Sequence, residues 1–224
     1  RLEPAAVTDS NAARTPPDPR RGRALASSST SPDKPPRAWQ RMLSGRRLDI
    51  LDPSPLDVEI EDVALGLSRV ARWNGQTVGD HAFTVAKHSI LVLDLLEAAN
   101  RDAPRKLRLA TLLHDASEYV TSDLITPFKA ALGPGYKGVE NGVGRAVNLR
   151  FGLPGDLPDA WAAEIKRADK TAAFLEAVEV AGFAPAEARK VLAYRRRAPD
   201  MRLEAWPAER ARSAYLERFR ALTG

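Results

Sequence analysis

The chain has 224 residues, a length that fits one globular domain of ordinary size together with a tail. It contains no cysteine, which excludes disulfides, zinc–thiolate sites and thiol nucleophiles, and which agrees with a cytoplasmic location. No apolar stretch approaches the roughly 18 residues of a membrane-spanning helix, and the first residues carry no apolar secretory signal. We therefore expect a cytoplasmic protein with no membrane partner.

The formal net charge of +5 is concentrated near the N-terminus. Residues 1–47 carry ten Lys or Arg and four Asp or Glu, whereas the remainder carries 24 basic and 25 acidic side chains. Residues 1–37 are also rich in proline and serine, so they are predicted to be a disordered basic tail. Because the rest of the chain is nearly neutral, the folded domain, residues 38–224, is not expected to bind nucleic acid strongly.

The predicted fold class of this domain is all-α, preceded by a short extended lead-in or hairpin between Trp39 and Leu56. In chain order, helices are predicted over 60–73, from an N-cap at Asp80 to about Leu96, from about Pro104 to Tyr119, within 123–132, and near 136–151, 158–181, 184–195 and 207–222. The last of these form a C-terminal extension, which is expected to serve in packing or oligomerisation.

His114 and Asp115 are adjacent within the apolar run of the third predicted helix. Neighbouring helical positions point about 100° apart, so amphipathic patterning does not explain the pair. A divalent metal site does explain it, because imidazole nitrogen and carboxylate oxygen both suit such ions. His88 and Asp169 lie on two other predicted helices, and helical bundles build metal sites from such facing side chains. The alternative is a hydrogen-bonded core histidine with ordinary surface aspartates.

These residues and their neighbours resemble the HD-domain phosphohydrolases, most closely the 5′-deoxynucleotidase-like members and related bacterial and phage enzymes. The resemblance covers about residues 44–180, and its matching pieces are Arg72-Trp73, Val85 to Ser89, Leu112 to Glu118, Asp123-Leu124, Thr126 to Lys129 and Lys166 to Asp169. It implies an HD-domain helical bundle in which His88, His114, Asp115 and Asp169 hold one divalent ion. Mn, Co, Fe, Zn and Mg remain open as that ion. The resemblance also implies a homodimer.

The same resemblance implies roles for residues around the metal. Glu118, four residues after His114 on a continuous predicted helix, would act as a general acid or base, the alternative being a salt-bridge partner. Asp123 would orient the nucleophile or contact substrate, or else cap the next helix. Arg72 would bind phosphate and Trp73 would pack on the sugar, or else anchor the core, while Lys129 is a second candidate cation.

Two further residues are expected to lie outside the metal shell. His81 is interpreted as an ordinary histidine near a helix start, with a substrate contact as the alternative. Lys87 precedes the first metal-ligand histidine, where related proteins usually carry Glu or Gln, and is expected to point away from the metal.

The expected function is a metal-dependent phosphohydrolase acting on a nucleotide, in first place a deoxynucleoside 5′-monophosphate. One alternative keeps the fold and hydrolyses deoxynucleoside triphosphates. A second is a catalytically silent module that binds nucleotide as a sensor. A third, a nucleic-acid-binding protein, depends only on the basic tail.

Overall fold

A short hairpin opens the structure, a computed structural model that describes residues 38–224. Strand β1, Trp39–Arg41, pairs in antiparallel register with β2, Arg47–Asp49. In the connection between them, the Ser44 amide donates to Asp62 Oδ1 (3.0 Å) and the Ser44 hydroxyl donates to the other oxygen of the same carboxylate. Because Asp62 lies on the first helix, the hairpin is fixed to the helical body. The predicted lead-in is confirmed.

The described part of the chain is otherwise helical, which confirms the all-α prediction. Short 3-10 helices at Pro55–Asp57 and Arg72–Gly75 accompany the α-helices. These are α1 Ile60–Leu67, α2 Val85–Ala99, α3 Arg105–Leu112, α4 Glu118–Thr121, α5 Thr126–Leu132, α6 Pro134–Arg150, α7 Asp159–Glu179, α8 Pro185–Val191 and α9 Ala208–Thr223.

Helix α2 is the centre of the core. Ten of its fifteen residues are buried, including the unbroken run from His88 to Leu93. A helix that is apolar on nearly every side must be surrounded, and α2 packs against α7, α3 and α9. Its first turns therefore carry a histidine into the interior, where only a specific polar partner can satisfy it.

Three predicted helix boundaries before residue 120 were wrong. Helix α1 ends at Leu67 and not at Trp73. It cannot include Trp73, because Trp73 (φ 56°), Asn74 (φ 50°) and Gly75 (φ 72°) all adopt the left-handed conformation, which no right-handed helix contains. Helix α2 begins after Thr84, whose hydroxyl accepts from the Lys87 amide (3.3 Å), and not at Asp80. The third predicted helix divides into α3 and α4, with turns from 113 to 117.

The C-terminal extension is a packing element. Helix α9 contacts α1, α2 and α3, and the buried Tyr215 hydroxyl donates to the Leu112 carbonyl at the end of α3 (3.1 Å). Its role in oligomerisation stays a prediction. Helix α8 is shorter than predicted, since Ala193 (φ 49°) leaves the helical conformation. None of the helices within residues 38–224 is long and apolar enough to cross a membrane. The disorder predicted for residues 1–37 falls outside the described residues.

Candidate metal centre

The imidazoles of His88 and His114 converge on one carboxylate oxygen. Asp115 Oδ2 lies 3.3 Å from His88 Nε2 and 3.2 Å from His114 Nε2, and the two rings are 5.3 Å apart. Both Nε2 atoms are buried, and neither makes a hydrogen bond to any residue the structure describes. Buried polar atoms are normally satisfied, so this pair fits a cation between them. The three side chains offer ligand atoms within 4.8 Å of one another.

Asp169 supplies a fourth candidate ligand atom, a carboxylate oxygen, to the same space. Its Oδ1 lies 3.5 Å from His88 Nε2, while its Oδ2 accepts from the Lys166 ammonium one turn earlier on α7 (2.7 Å). Burial opposes ionisation of both aspartates, yet the neighbouring histidines lower the pKa of Asp115 and of Asp169. The structure thus brings together all four residues predicted as metal ligands, with two ionised carboxylates among them.

The adjacent histidine and aspartate can face one point because the helix stops before them. Helix α3 ends at Leu112, and the turns that follow free His114 and Asp115 from the 100° helical spacing. His114 Nδ1 lies 2.9 Å from the Thr111 carbonyl, which fixes that ring nitrogen as the donor and turns Nε2 toward Asp115. The continuous helix expected through this segment is wrong.

Glu176 holds the other histidine and was missed by the sequence analysis. This fully buried carboxylate on α7 lies 2.5 Å from His88 Nδ1, so that Nδ1 donates and Nε2 is left facing the site. Burial would raise its pKa, but Arg72 and His88 lower it. The missed signal is an acidic residue inside the apolar run 172–177, seven residues after Asp169 and therefore on the same helix face.

Arg72 links this buried carboxylate to a second one. Its Nε and Nη2 each lie 3.2 Å from Glu176 Oε2, and its Nη1 lies 3.3 Å from Asp123 Oδ2. Burial alone would lower the pKa of Arg72, but Glu176 and Asp123 raise it and keep the guanidinium charged. The helix-capping alternative for Asp123 is wrong, since the residue preceding α5 is Ile125.

Trp73 follows in the same left-handed turn. Its indole N–H donates to Glu176 Oε2 (3.0 Å), and its ring centroid lies 5.7 Å from that of Phe183. The tryptophan therefore packs in a small apolar cluster while its polar edge is used within the Glu176 network. Contact with a sugar stays a prediction.

Glu118 is the buried acid beside the cation position. Burial and the charges of Asp115 and Asp123 raise its pKa from 4.5 to about 9, so it is protonated at neutral pH. Lys129 Nζ lies 3.5 Å from its Oε1 but is closer to Glu140 (2.8 Å), and Glu118 Oε2 has no hydrogen-bond partner among the described residues. The salt-bridge alternative accounts for only one of its oxygens.

A cleft of about 250 Å³ opens onto the metal-centre residues His114, Asp115 and Asp169. Its walls come from α6 and α7, and Lys166 stands at its edge. The two residues expected outside the metal shell are indeed outside it. His81 is exposed, and the Lys87 ammonium lies 3.7 Å from the centre of the Trp206 ring.

Charge around the centre favours a cation. Four carboxylates, those of Asp115, Asp123, Asp169 and Glu176, lie around the two histidines together with the protonated Glu118, and the nearby cations are Arg72, Lys129 and Lys166. Carboxylate and imidazole without thiolate is a donor set for hard to borderline divalent ions. The residues present therefore fit a divalent metal.

Fold and site together define an all-α protein with a candidate His-His-Asp centre for a divalent metal. No family model matches the chain. Over 155 residues, 69% of this chain and 79% of the relative, it is 58% identical to an uncharacterised protein of Rhodobacter capsulatus. Over 98 residues it is 32% identical to the uncharacterised protein YfdR of Escherichia coli, covering 44% of this chain and about half, 49%, of YfdR. The chain belongs to the family of the Rhodobacter capsulatus protein.

Proposed function

We propose that the protein is a metal-dependent phosphohydrolase of the HD-domain type, with a deoxynucleoside 5′-monophosphate as substrate. The observation that carries the proposal is the convergence of two buried, unpartnered imidazole nitrogens on Asp115, next to the protonated acid Glu118. A cation site beside a buried proton donor can promote the hydrolysis of a phosphate ester.

His88, His114, Asp115 and Asp169 would hold the divalent ion. When bound, that ion supplies Lewis-acid polarisation of the phosphoryl group and lowers the pKa of a nearby water. The side chains themselves arrive oriented, because Glu176 fixes the ring of His88 and the Thr111 carbonyl fixes that of His114. Little rearrangement is needed before a cation enters.

Glu118 would manage the proton of the leaving group. Attack of water on phosphorus breaks the bond between phosphorus and the sugar oxygen, and Glu118 donates its proton to that oxygen. The carboxylate then recovers a proton from the attacking water, so the net reaction consumes one water and releases nucleoside and phosphate. In the metal-free chain the raised pKa keeps Glu118 protonated at neutral pH, which is the state that a proton donor needs.

Arg72 would bind the phosphate. Its guanidinium is held by Glu176 on one edge and by Asp123 on the other, with the longer contact to Asp123 (3.3 Å). A phosphate oxygen could take part of the Asp123 contact, because planar guanidinium groups bind phosphate through paired N–H donors. Trp73 would select the deoxy sugar, a role that the family resemblance implies.

Lys166 favours a second candidate substrate, a deoxynucleoside triphosphate. Its ammonium lines the cleft and is 65% exposed, so it could meet phosphates beyond the first. Mono- and triphosphates therefore belong in the same screen.

The test is a screen of purified protein against deoxy- and ribonucleoside mono- and triphosphates with Mn²⁺, Co²⁺ and Mg²⁺. We expect phosphate release that falls about a hundredfold or more in Glu118→Gln. The control Asp102→Asn removes an exposed carboxylate that does not line the cleft of the metal centre and should keep full activity. If the protein binds metal but hydrolyses no nucleotide, the proposed enzyme activity fails and the nucleotide-sensor alternative remains. Full activity in Asp115→Asn would contradict the assignment of the metal site.

A further inference from the structure

A second cleft, of about 460 Å³, lies on another face of α7. Glu164, Arg167, Ala168 and Thr171 line it, whereas Ala162, Ile165, Lys166 and Asp169 line the cleft of the metal centre. Each set repeats at helical spacing, so α7 is a wall shared by two separate clefts. A volume of this size lies within the range of roughly 300–1,000 Å³ that is usual for small-molecule sites.

Three arginines supply the charge of this cleft. Arg167 comes from α7, and Arg196 and Arg197 come from the loop after α8. Within residues 38–224, none of the three guanidinium groups makes a hydrogen bond or an ion pair. Arg72 is largely buried and paired with two carboxylates, whereas these three arginines are exposed and unpaired among the described residues, so an anion can reach them directly.

The arginine loop is held in place. The Arg189 guanidinium donates to the Arg196 carbonyl (2.8 Å), and the buried Tyr194 hydroxyl donates to the Arg197 carbonyl (3.5 Å) and lies 3.3 Å from Thr171 Oγ1. These bonds hold the backbone of the loop and leave the guanidinium groups of Arg196 and Arg197 free to line the cleft. A positioned backbone lowers the entropy cost of binding at its side chains.

The charge of the cleft is not balanced from within. Glu164 is the one acidic residue among those that line it, and its Oε2 accepts from the Asn100 amide (3.0 Å). Three guanidinium groups against one carboxylate leave two net positive charges. The floor is apolar and comes mainly from the end of α2, with Leu95, Leu96, Ala98 and Ala99.

We propose that this cleft binds a small phosphorylated molecule that carries at least two negative charges and has an apolar part. Guanidinium groups bind phosphate oxygens in pairs, and the α2 floor receives the apolar part. A nucleic acid fits less well, because the cleft is concave and residues 48–224 are nearly neutral overall. The inference is independent of the proposed hydrolysis.

The test is calorimetric titration of the full chain, freed of metal by dialysis, with inorganic pyrophosphate and with thymidine 5′-diphosphate. We expect binding of one equivalent, weakened about tenfold or more in Arg196→Gln/Arg197→Gln. Both arginines are exposed and unpaired, so the variant should fold normally. The matched control Arg195→Gln alters the exposed neighbour that does not line the cleft and should bind as the unaltered chain does.

The two probes distinguish the source of the phosphate. Tighter binding of thymidine 5′-diphosphate supports the proposal and indicates a nucleotide, whereas equal affinities would show that the apolar floor contributes nothing and would contradict it. Undiminished binding in the double variant, no binding of either probe, or loss of binding in Asp115→Asn would overturn the proposal. Preference for a DNA oligonucleotide over both probes would overturn it as well. None of these results depends on hydrolysis, so failure here and failure of the proposed function are separable.

Discussion

Glu176 Oε1 lies 2.5 Å from His88 Nδ1, inside the core and out of contact with water. Helix α7 carries both this carboxylate and Asp169. The same helix therefore contacts both ring nitrogens of His88, Nδ1 through Glu176 and Nε2 through Asp169. The candidate metal centre is therefore built on the packing of α2 against α7.

Replacing Glu176 by Gln should weaken metal binding about tenfold, because outer contacts of ligand histidines set their orientation and basicity. Isothermal titration with Co²⁺ measures the change. Glu179→Gln, three residues later on the same helix, is the control and should bind normally, since its carboxylate pairs only with the exposed Arg202 among described residues. Equal affinities of the two variants would show that Glu176 does not support the centre.

Replacing His88 by Ala should abolish stoichiometric binding of Mn²⁺ or Co²⁺, because it removes a ligand that no neighbouring side chain can replace. The measurement is metal content after gel filtration. His81→Ala changes an exposed histidine seven residues earlier and should retain the metal. Metal retained in His88→Ala, with circular dichroism showing an intact fold, would refute the ligand assignment.

The pKa of Glu118 predicts a pH-dependent stability of the metal-free protein. In the unfolded chain this carboxyl ionises near 4.5, but in the folded chain it holds its proton up to about 9. The folded state therefore binds more protons in this window, and stability is lost as pH rises through it. Glu118→Gln lacks this ionisable group. The free energy of unfolding of the variant minus that of the parent should therefore increase as pH rises from about 5 to about 9, the window between the two pKa values.

Chemical denaturation of the parent and of Glu118→Gln at several pH values measures this difference. A difference that stays constant across the window would mean that Glu118 is ionised in the folded protein. The role of Glu118 as a proton donor would then fail with it.

Gly66 gives a prediction about the packing that positions Glu118. A Cβ at this position of α1 would lie 2.7 Å from Tyr119 Cβ and 2.9 Å from the Tyr119 carbonyl, in the helix that begins at Glu118. Gly66→Ala should therefore cost about 1–3 kcal/mol in the free energy of unfolding. The control Gly138→Ala, in open space on α6, should instead stabilise by about 0.5–1 kcal/mol. Thermal or denaturant unfolding tests both, and a stabilised Gly66→Ala would contradict the close approach of α1 and α4.

The sequence was most informative where a pattern is local. Periodic apolar residues predicted α6, α7 and α9 closely, and the turn signal at Gly133 was correct, since that residue adopts φ 75°. Predicted helix boundaries were wrong where two nearby residues could each cap the helix. Thr84, and not Asp80, caps α2 through its hydroxyl. The unusual left-handed pair Trp73 and Asn74 carries no sequence signal that periodicity could detect.

By itself, the sequence determined the helical class, because helical periodicity is a local property, and it predicted His88, His114, Asp115 and Asp169 as metal ligands through a resemblance of motifs. Only the tertiary structure decided how they meet. It ended α3 before His114, so that two neighbouring residues can face one point, and it brought Glu176 across 88 positions of chain to His88. Such contacts depend on how α2 and α7 pack, and packing joins residues whose separation along the chain carries no signal.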